Sequence, residues 1–266
     1  CLSLIPALRR ERFDIVLDLQ RNSLSRLIRR MLSPKSFSEF DRFSRQSAGS
    51  RVRNTIDALH LADIPAAPPA IDLRMEALDS HRWTGAGYLP EERYIILNPA
   101  GSAVSKHWPI GNFEQFARLW MASVDRAAKF LIIGTDRVSV HAEFLKQHLG
   151  DRVVDLVNMT TPAEALRLVR NARLVLSEDS GLMHMAWTSR IPLVALLGST
   201  PGIWAAPQGE TSACFDSSDL ACGCCDSPLC RFGDVHCLTR YTPEFVVEAA
   251  RGLLVRLDTE EGRQLP

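Results

Sequence analysis

Two stretches of the chain gather residue types that could do chemistry. In Pro99-Ala100-Gly101-Ser102-Ala103-Val104-Ser105-Lys106-His107-Trp108-Pro109, Gly101 lets the backbone approach a ligand, Ser102 offers a hydroxyl, and Lys106 is a mobile cation suited to phosphate oxygens. The bland alternative is an ordinary turn with a solvated lysine and Trp108 packed for stability. In Glu178-Asp179-Ser180-Gly181-Leu182-Met183-His184, Gly181 opens a helix whose first amides and positive dipole end favour an anion. Asp179 would repel a phosphate it faced directly, so it is better suited to accept hydrogen bonds from loop amides or a sugar hydroxyl. His184 either donates to the phosphate or is a satisfied histidine on a half-buried helix.

Three further segments are weaker. Gly134-Thr135-Asp136-Arg137, Asn158-Met159-Thr160 and Gly198-Ser199-Thr200-Pro201 each follow a strand-like run, and Met159 could pack on a flat ring. The chain contains neither Gly-x-Gly-x-x-Gly nor Gly-x-x-x-x-Gly-Lys-Ser/Thr, which counts against a nicotinamide dehydrogenase or a P-loop nucleotidase. Loops rich in glycine, hydroxyls and a lysine at one sheet edge make a nucleotide-diphosphate site the economical reading.

A separate feature lies nearer the carboxyl end. Six of the seven cysteines fall between Cys214 and Cys237. Cys222, Cys225, Cys230 and Cys237 could hold a structural zinc or iron tetrahedrally, with Cys224 as the extra thiol and His236 as a spare ligand. The competing reading is free or paired cysteines, a disulfide being disfavoured in a reducing compartment.

The elements that must position these residues alternate. Apolar strand-like runs at 15–19, 95–98, 130–133, 153–156, 174–177 and 193–197 alternate with helical patterns, among them 141–149 and 161–171. Thr161-Pro162-Ala163-Glu164 reads as a capped helix start, and Thr242-Pro243-Glu244 opens a last helix with Val246, Val247, Ala250, Leu253, Leu254 and Leu257 inward. Apolar strands without in-out alternation predict an α/β fold, a parallel sheet covered on both faces, with ligands beyond the carboxyl ends of its strands. A short helix at 55–61 and a proline-rich stretch at 65–69 place the domain boundary within 65–90, giving domains 1–85 and 86–266. The 266 residues balance 31 Lys and Arg against 31 Asp and Glu, so no nucleic-acid partner is expected. With no apolar run near the ~20 residues of a spanning helix and no signal-like start, the expectation is a soluble, cytoplasmic protein. Arg26, Arg29 and Arg30 could meet anionic lipid at the inner membrane, although a solvated helix face is the expectation.

Taken in order, Ser105-Lys106-His107-Trp108-Pro109, Asp179-Ser180-Gly181-Leu182-Met183-His184 and Gly198-Ser199-Thr200-Pro201 resemble the ADP-heptose:lipopolysaccharide heptosyltransferases of glycosyltransferase family 9. Phe13-Asp14-Ile15-Val16-Leu17-Asp18-Leu19-Gln20 is similar to that family's Tyr-Asp-x-Val-x-Asp-Leu-Gln segment, so the likeness spans nearly the whole chain. The resemblance implies a B-type glycosyltransferase fold of two Rossmann-like domains, the first incomplete here, with the donor on the second and catalysis in the cleft between them. It implies inverting transfer of a heptose or related sugar from a nucleotide diphosphate, ADP-heptose above all, to a lipopolysaccharide-core acceptor, with no cofactor required. Lys106 and Ser102 would then meet the donor phosphates, Met159 the adenine, and Asp179, Ser180, Gly181 and His184 the sugar-diphosphate portion. Asp136 would stand in for a glutamate that reads the nucleoside, and the cysteines would match a structural site of some members. The family's initial strand and Gly-Asp pair, which carries the general base, has no counterpart before Ile15. The chain would accordingly be a fragment of a longer enzyme or a non-catalytic nucleotide-sugar-binding or assembly module.

Overall fold

Tyr94 and the strand residues Ile95, Ile96 and Leu97 after it are all buried and hydrophobic, yet they serve two different cores. In the computed structural model, which describes residues 2–41, 54–55, 58 and 80–261, Ile95 and Leu97 pack on one face of a sheet and Tyr94 and Ile96 on the other. A period of two along a strand buried on both faces produces that split. The chain divides into two units, Cys1–Leu73 and Arg74–Pro266. The expected helix at 55–61 and proline-rich stretch at 65–69 lie largely outside the described residues.

In the first unit, α1 (Ile5–Arg10) leads to β1 (Ile15–Asp18), α2 (Ser23–Leu32) and β2 (Ser36–Glu39), and the two strands run parallel. A capping box starts α2: Asn22 accepts from the Ser25 amide at 2.8 Å while Ser25 Oγ accepts from the Asn22 amide at 3.0 Å. Burial works to raise the pKa of Asp18, but hydrogen bonds from the Arg21 amide, Ser25 Oγ and the Gln20 amide outweigh it and hold the carboxyl below its usual range. Two expectations are corrected here. The run at 15–19 is no fully buried strand, because Ile15 is 39% exposed; among the described residues β1 pairs with β2 alone. Nor is α2 evenly solvated on its basic face: Arg29 is buried, donates to Glu39 Oε1 at 2.7 Å and lies over Phe37, and Glu39 also accepts from Arg26.

The second unit holds a parallel sheet in the order β5-β4-β3-β6-β7-β8. Its strands are β3 (Ile95–Asn98), β4 (Phe130–Ile132), β5 (Val153–Asp155), β6 (Leu174–Glu178), β7 (Leu193–Leu196) and β8 (Ser212–Phe215). On one face pack α3 (Ile110–Ser123), α4 (Ser139–Leu149) and the later helix Pro243–Glu261, with Phe113, Phe116 and Trp120 in the core. The other face takes α5 (Pro162–Arg170), α6 (Gly181–Thr188) and the turn Ser80–Ala86, which inserts Trp83. That turn belongs with the second unit because Trp83 is fully buried there and its Nε1 donates to the Met159 carbonyl at 3.1 Å. Two strands were not foreseen, β2 and β8: Ser36–Glu39 and Ser212–Phe215 are half polar and only partly buried. No helix among the described residues is long and apolar enough to cross a membrane.

The strand order reverses direction of growth between β3 and β6, the switch point at which open parallel sheets bind ligands. The cap of α5 gives a test of the local account. Thr161 Oγ1 accepts from the Glu164 amide and Glu164 from the Thr161 amide at 2.7 Å, so Thr161→Ala is expected to lower stability by about 1 kcal/mol in urea unfolding.

Candidate functional site

The first polar residues at the ends of the two central strands build the rim. Asn98 closes β3, and its Nδ2 donates to Ser177 Oγ at 2.7 Å and Ser180 Oγ at 2.6 Å. Ser180 in turn caps α6, accepting from the Met183 amide, so the helix opening is fixed to the strand beside it. Beyond that cap, Gly181 opens onto free space: nothing stands within 4 Å of where a Cβ would be.

Glu178, at the end of β6, is fully buried. Its Oε1 accepts from the Trp108 amide at 2.6 Å, and its Oε2 accepts from the Gly101 amide at 2.6 Å and lies 3.0 Å from His107 Nδ1. These bonds fold the loop 101–108 back onto the neighbouring strand. Gly101 is needed for the approach, since a Cβ would lie 2.5 Å from the Lys106 carbonyl oxygen. The hydrogen bond to Glu178 raises the pKa of His107 above its ordinary 6.5, against the opposing effect of burial.

Held in this way, Lys106 Nζ lies 3.5 Å from Asp179 Oδ2 and 3.5 Å from Asp226 Oδ1. Thr200 Oγ1 donates to the same Asp179 oxygen at 2.6 Å. Asp179 thus takes its hydrogen bonds from a hydroxyl and an ammonium, where the sequence suggested loop amides or a sugar. The loops after β3, β6 and β7 supply Lys106, Asp179 and Thr200, and Asp226 comes from the cysteine segment. Ser102 is exposed in the same loop, and His184 is half-buried on the first turn of α6, its ring 6.2 Å from that of Trp187.

Asp136 and Met159 form a second group, beyond β4 and β5. Asn158 Nδ2 donates to Asp136 Oδ1 at 2.5 Å, and the exposed Met159 offers its carbonyl to Arg82 and Trp83. A third group is the cysteine segment. Cys222, Cys225, Cys230, Cys237 and His236 all line one cavity of about 300 Å³, from whose lining Cys224 is absent. Burial, and then the nearby Cys230, Cys225 and Cys222, push the Cys237 thiol up to about 11. Cys222 Sγ lies 3.4 Å from His236 Nε2. As they stand, no three His, Cys, Asp or Glu side chains among the described residues are grouped to hold a metal ion.

The sequence reading passed over Asn98, Glu178 and Asp226. The first two carried a signal: each is the polar last residue of a largely apolar strand. Asp226 had none, because it meets Lys106 across 120 residues of chain.

A parallel sheet of Rossmann topology with a cation and a helix opening at its switch point defines the class. The sequence model of glycosyltransferase family 9 (heptosyltransferase) matches residues 1–236, and the chain belongs to that family. It is 29% identical over 169 residues to lipooligosaccharide heptosyltransferase 2 of Campylobacter jejuni, covering 61% of this chain and 51% of that protein. To the protein of the same name from Haemophilus influenzae it is 30% identical over 156 residues, covering 56% and 44%. The matches thus span about half the length of these curated relatives. Among solved structures, Escherichia coli ADP-heptose lps heptosyltransferase II has a TM-score of 0.71 at 18% identity, covering 96% of this chain and 81% of that one. A glycosyl transferase family 9 protein from Veillonella parvula gives 0.76 at 16%, covering 96% and 79%. The iron-containing dodecameric heptosyltransferase TibC of E. coli gives 0.56 at 16%, covering 84% and 60%. The B-type glycosyltransferase fold is common to this chain and these proteins.

The Glu178–His107 contact sets a pH dependence. A pKa raised in the folded state stabilises fully below 6.5, and that contribution is lost as pH rises through the raised value. His107→Gln is therefore expected to cost more stability at pH 6 than at pH 9 in denaturant titrations; an equal cost at both would contradict the pairing.

Proposed function

We propose that this chain carries the donor site of a glycosyltransferase that moves a heptose or related sugar from a nucleotide diphosphate, with inversion, to a lipopolysaccharide-core acceptor. The observation that carries the reading is the placement of Lys106 and the Gly181 helix opening at the ends of the adjacent strands β3 and β6. Family membership and the names of the relatives support the same reaction, and the E. coli neighbour's name supports ADP-heptose as donor. The site reading works in a cytoplasmic enzyme, peripheral to the inner membrane, where donor and lipid-linked acceptor would meet.

Breaking the sugar–phosphate bond leaves charge on the nucleoside diphosphate. A preorganised ammonium and helix-end amides stabilise that charge as it develops, because they need no reorganisation at the moment of reaction. In this reading Lys106 takes the leaving diphosphate, Ser102 and the amides at Gly181 hold its other oxygens, and Asp179, fixed by Thr200, orients Lys106. His184 donates to the sugar-diphosphate portion, Met159 packs against the base, and Asp136 meets the nucleoside.

The four thiols match a structural zinc or iron in kind and in number, since soft thiolates select those ions and all four line one cavity, and they would have to draw together from their present positions to bind one. TibC, described as iron-containing, supports that reading. The ion would close the loop and take no part in transfer. Metal analysis of the purified protein is expected to find about one ion per chain by the four-ligand rule, lost in Cys225→Ser. A metal-free protein with all thiols reactive would contradict it.

The site itself is tested by calorimetry with a panel of nucleotide diphosphates and their sugars. Wild type is expected to bind ADP, and Lys106→Ala to weaken that binding about ten- to a hundredfold with the fold unchanged, as loss of a charge-assisted hydrogen bond implies. Unchanged binding in Lys106→Ala would remove this lysine from the site.

A further inference from the structure

Lys106 is shared by two carboxylates that differ in how they are held. Asp179 is 17% exposed at its side chain and is fixed by the Thr200 hydroxyl at 2.6 Å. Asp226 is 49% exposed at its side chain, and its carboxylate reaches Lys106 from the cysteine loop. The backbone of that loop is well anchored. The Asp226 amide donates to the Ser199 carbonyl at 2.8 Å, while the Ser227 carbonyl accepts from Ser105 Oγ at 2.5 Å and the Pro228 carbonyl from the Ser105 amide at 3.3 Å. Asp226 also has φ +47°, in the left-handed region that ordinary side chains avoid and that Asp and Asn tolerate. A fixed backbone in an unusual conformation therefore directs a half-exposed, movable carboxylate at the one ammonium assigned to the donor.

We propose that Asp226 is a positioning residue that serves as a stand-in anion for the donor diphosphate. It holds Lys106 at the rim while the site is empty, swings into solvent when the diphosphate arrives, and returns to Lys106 as the nucleoside diphosphate departs. Asp179 is less suited to this, because it is more buried and also holds the Thr200 hydroxyl. The physical basis is competition: a diphosphate entering beside Asp226 meets a like charge already paired with its cation, so binding is weaker and release faster than Lys106 alone would give. This inference rests on the donor-site reading.

The test uses Asp226→Asn and Asp226→Gly, both of which keep the left-handed backbone accessible while removing the charge. Calorimetry with ADP is expected to show both variants binding about fivefold more tightly than wild type, the scale of a half-exposed ion pair, with Asp226→Glu restoring the wild-type value. Stopped-flow displacement of ADP is expected to show slower release from both neutral variants, because the competing carboxylate is gone. A purely structural role would weaken binding, so the gain separates the two. Equal or weaker binding in either neutral variant, with wild type still binding ADP, overturns the role of Asp226. Failure of wild type to bind ADP overturns the donor-site reading itself, and this inference with it.

Discussion

The arrangement depends on one buried carboxylate. Glu178 ends β6 with no exposed surface, and an ionised group in that position costs several kcal/mol unless donors surround it. Here the Gly101 and Trp108 amides and the His107 ring supply them. The bonds span the loop that bears Lys106 at both of its ends, so satisfying Glu178 fixes where the ammonium can be. Trp108, whose Nε1 donates to the Tyr241 carbonyl at 2.9 Å, ties the far end of the same loop into the core beneath the sheet.

Ser105 is the second fixed point. Its Oγ meets Ser199 Oγ at 2.9 Å and the Ser227 carbonyl, and its own carbonyl accepts from the Ser199 amide. Gly198 is required where these chains touch, since a Cβ there would lie 2.3 Å from the Ser105 carbonyl oxygen. The loops after β3 and β7 and the cysteine segment are thus bonded to one another. Whatever closes the cysteine loop, through thiols or an ion, is transmitted to the rim by hydrogen bonds only one or two residues from Lys106.

Much of this was legible in the sequence, and the reasons differ by residue. Fully buried strands announce themselves as apolar runs, so β3 to β7 were expected close to where they lie. The capped start at Thr161 was equally plain, because its bonds are local. β2 and β8 were not, since Ser36–Glu39 and Ser212–Phe215 are partly buried and lack a period-two pattern. The loops that bear Lys106, Asp179 and Gly181 were found from residue types alone, but their mutual placement was not, because Glu178 and Asp226 act at separations of 70 and 120 residues. Arg29 was misread for the same reason: Glu39 and Phe37, which bury it, belong to a strand hidden in a polar stretch.

Lodging a pyrophosphate between one ammonium and one helix opening is the core of the account, and a crystal structure of the chain soaked with ADP addresses it directly. The expected density places a phosphate oxygen within about 3 Å of Lys106 Nζ and of the Gly181 amide, a hydrogen-bond distance, with Asp226 turned away. A nucleotide bound elsewhere, with Lys106 still bridging Asp179 and Asp226, would contradict it.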